Sequence, residues 1–244
     1  MAESFGWGAL AASSLVIGAI VALRFHLGLK TIGLIMGFGA GVLISALSFD
    51  LVDEAIEKSS GDGWVAAGVF AGCAVFFGGD QLIGRLGGGS QRKDPDGSQE
   101  GDSPLAIVLG TVLDGIPESM VIGLTIFEGG AVGAAYLAAV FISNLPEAIS
   151  STSGLITSGW AKSRILWMWI AIALISGVAS LLGYALFQDS APGTVAFVLA
   201  FAAGAILTML SQTMMPEAYE HGGKWVGVMT TLGFAVAFTI HTLD

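Results

Sequence analysis

The feature that most limits what this chain can fold into is its series of uninterrupted apolar runs. Eight stretches, 5–23, 31–53, 63–84, 104–126, 130–156, 164–187, 193–215 and 224–242, have the roughly 20-residue length a helix needs to cross hydrocarbon. A helix also satisfies its backbone N–H and C=O groups locally, which lipid demands. The expected fold class is therefore an all-α integral membrane protein with eight transmembrane helices, one domain over residues 1–244, with the lipid bilayer as its surroundings. Composition agrees: 54% of residues are apolar and 11% charged, too little charge to cover a water-soluble surface of this size. The 36 glycines suit helices whose backbones approach closely in lipid. A net charge of −10 makes nucleic acid an unexpected partner. Cys73 is the single cysteine, so no disulfide framework is expected. The first apolar run starts near Phe5 without a basic segment before it, and no cleavable signal is expected.

The exception to the short connections is 87–103 (GGGSQRKDPDGSQEGDS), which has no apolar face and is expected to be a disordered loop. Arg24, Lys30, Arg85, Arg92, Lys93, Lys162, Arg164 and Lys224 fall in or beside connections on one side of the spans, and only Lys58 falls on the other. The positive-inside rule makes the first side cytoplasmic and puts both termini outside. The expected location is a bacterial or archaeal cytoplasmic membrane.

Shifting the chain by 163 residues brings Phe38, Ala40, Gly41, Leu47, Ser48, Glu54, Ala55 and Glu57 onto Phe201, Ala203, Gly204, Leu210, Ser211, Glu217, Ala218 and Glu220. The two copies cross in opposite directions. Residues about 1–86 and 164–244 thus read as an inverted 3+3 repeat around a central two-helix pair, 104–126 and 130–156. Inverted repeats are a transporter signature, with the site near mid-bilayer at the repeat interface.

The central pair holds the chemistry: LDGIPESMVIG at 113–123 and SNLPEAISS at 143–151. Asp114 and Glu118 share a helix face at four-residue spacing, as do Ser143 and Glu147, with Asn144 three before Glu147. An acid at the centre of a span costs about 2.5–3.5 kcal/mol. Neither span contains Lys or Arg, so a salt bridge within the pair cannot neutralise them. Protonation, water or a bound cation must. Pro117 and Pro146 lack an N–H and leave the oxygens of Leu113 and Ile142 without their usual helical donor, adding oxygens beside the acids.

These two motifs resemble the ZIP (zinc- and iron-regulated transporter-like) family, whose fourth span reads HNxPEG or HNxxDG and whose fifth reads HExPHE or HNIPEG. The ends of the second and seventh spans, DEAIE and MPEAYEHGG, are similar to family segments reading LPEA. The resemblance covers essentially the whole chain and implies eight spans, outward termini and inverted repeats around a central pair. By position, Asp114 stands for a family His, Gly115 for Asn, and Glu118 matches an acidic ligand; Ser143 replaces His, Asn144 replaces Glu, Glu147 keeps a ligand position, and Ala148 replaces an acidic or Gly residue. The implied metal ligands are Asp114, Glu118, Asn144, Glu147 and Ser143, and the implied function is transport of a divalent cation toward the cytoplasm.

The departures shape that expectation. His26, His221 and His241 lie near span ends, so no imidazole remains in the core, and Gly115 offers no ligand, which reduces the family's two-metal arrangement to one site. An all-oxygen set suits Mn, Fe or Mg ions and still admits Zn; the metal is substrate. The alternative is a divergent member that senses metal or moves another solute. No enzymatic activity is expected: H-E-x-x-H is absent, and an aspartyl protease needs two central Asp where only Asp114 stands. Asp50, Asp53, Glu54 and Glu57 form an acidic outer mouth, Glu217, Glu220 and His221 an inner exit, and Ser45, Ser48, Met209 and Gln212 small lining groups; each reads equally as a solvated end or as packing. Asp80 reads as interfacial, and small faces such as Gly37–Gly41 permit a homodimer.

Overall fold

The computed structural model describes residues 2–59, 61, 63–85, 104–127 and 134–243. The 87–103 segment, with Arg92 and Lys93, and residues 130–133 of the expected fifth span lie outside them. Among the described residues the structure is all helix: α1 (Ala2–Arg24), α2 (Leu29–Lys58), α3 (Trp64–Arg85), α4 (Pro104–Phe127), α5 (Ala134–Thr157), α6 (Lys162–Phe187), α7 (Pro192–Gly222) and α8 (Trp225–Leu243). Seven of these are long and apolar enough to cross a membrane. The remaining helix, α5, carries Ser143, Asn144, Glu147 and Ser150 through Ser153 and falls short of that apolarity.

Two helices run further than their apolar stretches. In α2 a π-helical segment spans Leu47–Val52, and the rod continues to Lys58. In α7 a π segment spans Leu210–Met214, and the helix continues through Pro216 to Gly222. A π turn bonds each N–H to the carbonyl five residues back. The wider turn accommodates Pro216, which lacks an N–H and would crowd a regular turn. Gly223 ends α7 at φ 62°, donating its N–H to the Tyr219 oxygen at 2.9 Å.

Burial sorts the helices. In their most apolar windows 67% of α2 and 61% of α7 is buried, against 22% of α3 and 17% of α8, so α2 and α7 lie inside and α3 and α8 outside. α2 packs on α8, α5 and the end of α7; α3 packs on α7; α1 packs on α6 and α5; α4 packs on α6. α4 and α5 touch each other only briefly. One apolar core joins α2 and α7 through Met36, Leu43, Leu51, Leu199 and Ile206, and a second lies among α1, α5 and α6 around Leu15, Leu155 and Trp169.

Small residues set the closest contacts, since apolar burial gives no drive between helices already in lipid. A Cβ added to Gly41 of α2 would strike the Thr230 carbonyl of α8, and one added to Gly233 of α8 would strike the Phe38 carbonyl of α2. The other pair repeats this: Gly204 of α7 lies on the Val69 carbonyl of α3, and Gly72 of α3 on the Phe201 carbonyl of α7. Ser4 and Ser180 lock α1 to α6 by each donating to the other's carbonyl at 2.8 Å.

Candidate metal site

The five residues singled out on α4 and α5 are all inside. Asp114 is 4% exposed, Glu118 2%, Ser143 1%, Asn144 6% and Glu147 6%. Among the described residues no Lys or Arg stands in the interior of a helix: Arg24, Lys30, Lys58, Arg85, Lys162, Arg164 and Lys224 are all within a turn of a helix end or in a connection.

Both helices run as unbroken α-helix through their internal prolines, Pro117 and Pro146. On α4, Thr111, Asp114 and Glu118 form a buried polar stripe at three- and four-residue spacing. Asp114 shares a narrow cleft with Phe76 of α3 and with Ala205, Ile206 and Met209 of α7. Gly115 is turned away from it: the nearest atom to a Cβ there is the Ser176 hydroxyl of α6, at 3.9 Å.

On α5 the stripe is longer. Ser143, Asn144, Glu147, Ser150 and Ser151 are all buried and recur at the spacing of one helix face. Ser143 donates to the Val140 oxygen of its own helix at 3.0 Å, and Ser153 does the same to Ile149 at 2.8 Å. The Ser151 hydroxyl, fully buried, makes no hydrogen bond among the described residues. The Pro146 ring and Ser143 backbone lie against Gly39 of α2, beside the Met214 methyl of α7. The π segment of α7 is therefore bracketed by Met209, beside Asp114, and Met214, beside Pro146.

Tyr136, which lies outside both sequence motifs, links the two helices. Its hydroxyl donates to the Glu118 carbonyl oxygen at 3.5 Å, and it stands seven residues before Ser143, on the same face. That long hydrogen bond ties the N-terminal part of α5 to α4 at Glu118. Its one sequence signal is a tyrosine in helical phase with a buried polar stripe.

The three carboxylates do not close around one point. Among the described residues no three of His, Cys, Asp and Glu come together so as to hold a metal ion by themselves. A cation held in this arrangement takes part of its coordination from hydroxyl, amide or backbone oxygens, donors that suit hard cations. The nearby cavity of about 420 Å³ is no rival: it is lined by apolar side chains, among them Ile116, Met120, Phe187 and Phe201.

The secondary clusters differ from one another. In the group expected to form an outer mouth Glu54 pairs with Lys58 at 3.6 Å, Asp53 and Glu57 are exposed, and Asp50 is bonded to His241 at 2.7 Å. Of the group expected to form an inner exit Glu217 is wholly buried, while Glu220 is exposed. Ser45 and Met209 are buried, Ser48 donates to the Ile44 oxygen at 2.7 Å, and Asp80 is half-buried.

No model of a known protein family matches the chain, and no curated protein matches it.

Proposed function

We propose that this protein carries a divalent metal cation across a membrane toward the cytoplasm, through an oxygen-lined site between α4 and α5, as a divergent relative of the ZIP transporters. The observation that carries the reading is the burial of three carboxylates, Asp114, Glu118 and Glu147, on helices that contain no Lys or Arg. Ionised acids in such surroundings are costly unless a positive charge visits them. Ser143 and Asn144 add neutral oxygens on the same helix, and metal and proton compete for the carboxylates, since ligands deprotonate to bind.

The proposal includes α5 as an eighth span, both termini outside, and an inverted 3+3 repeat around α4 and α5. The repeat is supported by two features that follow the 163-residue shift. The π segments begin at Leu47 and Leu210. The carbonyl contacts of Gly41 on α8 and of Gly204 on α3 occupy matching positions in α2 and α7. Helix pairing has the same symmetry, α2 with α8 answering α7 with α3.

A second reading is favoured by one observation, that no three metal-binding side chains come together among the described residues: the chain senses metal or moves another solute. Uptake into proteoliposomes across a panel of divalent ions separates the two. Metal-dependent uptake that disappears in Glu118→Ala and Glu147→Ala, with both variants folded, supports transport. Uptake absent from the parent protein, or persisting in both variants, removes it.

A further inference from the structure

Along α5 the polar stripe has two unlike ends. From Ser143 toward the helix C-terminus it continues through Asn144, Glu147, Ser150 and Ser151, every one buried. Toward the N-terminus it stops at apolar Val140 and Ala139, both buried, and then at Tyr136. Seven residues separate Tyr136 from Ser143, about 10 Å along the axis on the same helix face. Tyr136 is among the largest fully buried side chains in the molecule. Its hydroxyl reaches the Glu118 carbonyl oxygen across the gap to α4. Tyr136 belongs to the same buried core as Leu47 and Leu51, which lie in the π segment of α2 that also carries Asp50. Asp50 in turn is bonded to the half-buried His241 at the end of α8. Tyr136 thus joins α5 to α4 at Glu118 and packs in one core with the α2 π segment, whose Asp50 is partly solvated.

We propose that Tyr136 is a gating residue whose ring closes the polar face of α5 from the outer side, and that its displacement opens a path from Asp50 to Glu118. The inference rests on the transport reading and on the orientation proposed with it. A phenol suits this position: the ring fills the space between α4 and α5, and one hydrogen bond to a carbonyl holds it there while costing little to break. Asp50 gives a cation arriving from outside a counter-charge immediately before the gate.

The test reads access instead of transport. In a Cys73→Ser background, Ser143→Cys is treated in intact spheroplasts with the membrane-impermeant thiol reagent MTSET, and its rate of modification is followed. With Tyr136 present the site reacts slowly. Tyr136→Ala raises the rate at least about tenfold by removing the ring, whereas Tyr136→Phe, which keeps it, stays slow. Tyr136→Val, which keeps an apolar side chain in the core but is far smaller than the ring, serves where the alanine variant does not fold, and it also raises the rate. Fast modification in the presence of Tyr136, or a rate unchanged in whichever of the two smaller variants folds, overturns the gate. Modification needs neither metal nor uptake. A failed uptake assay with altered modification removes the cargo and keeps the gate, while normal uptake with unaltered modification removes only the gate.

Discussion

His241 Nδ1 lies 2.7 Å from Asp50 Oδ1, joining the end of α8 to the π segment of α2. The Phe49 ring stacks on the same imidazole, with centroids 5.6 Å apart and planes 30° from parallel. The pair is only part-buried, with side-chain exposures of 35% and 13%, so solvent screens it. Its position gives it weight: it fastens a peripheral helix to the π turn of α2, which shares a buried core with Tyr136.

A double-mutant cycle on this pair yields a small coupling. Asp50→Asn, His241→Ala and the double variant, unfolded thermally in detergent, give a coupling of about 0.5–1 kcal/mol, the size of one screened hydrogen bond. Strict additivity of the two single variants contradicts the contact.

The glycines divide into two classes with opposite signs. Gly41→Ala and Gly204→Ala drive a methyl group onto the carbonyls of Thr230 and Val69 and cost about 1–3 kcal/mol each, as overpacking does. A Cβ added to Gly78 of α3 would meet nothing within 4 Å, so Gly78→Ala is neutral or stabilises by about 0.5–1 kcal/mol, the usual gain of Ala over Gly in a helix. Thermal unfolding of the three variants checks the contrast. Equal effects at Gly41 and Gly78 contradict the pairing of α2 with α8.

Trp169, fully buried in α6, donates its indole N–H to Thr152 Oγ1 of α5 at 2.8 Å. Thr152→Val keeps the shape and removes the acceptor, which costs about 1–3 kcal/mol for a buried donor left unpaired. Thr152→Ser retains most of the stability. The measurement is the unfolding midpoint, with indole fluorescence reporting the local change; a valine variant as stable as the parent would show that the bond contributes nothing net.

The apolar runs showed where the helices lie because lipid leaves the backbone few alternatives; the expected 5–23 and 164–187 became Ala2–Arg24 and Lys162–Phe187. Where α2 and α7 end was not legible. Asp50, Asp53 and Glu54 read as the end of a span, yet the rod continues to Lys58, since a π turn is a matter of hydrogen-bond register with no hydropathy signature. Burial of Asp114, Glu118 and Glu147 was legible, because acids in apolar helices must turn inward. Their separation was not: sequence spacing orders side chains along one helix and says nothing about the distance to the next. Tyr136 and the Asp50–His241 pair escaped for the same reason, as each draws its meaning from a partner on another helix.

The central claim is that these buried acids hold a cation, and calorimetric titration of the purified protein with Mn²⁺ and Zn²⁺ tests it most directly. Saturable binding of at least one of these ions, weakened at least about tenfold in both Glu118→Gln and Glu147→Gln and releasing protons into the buffer, is the predicted result. Binding that both variants retain unchanged, or no binding by the parent protein, would contradict it.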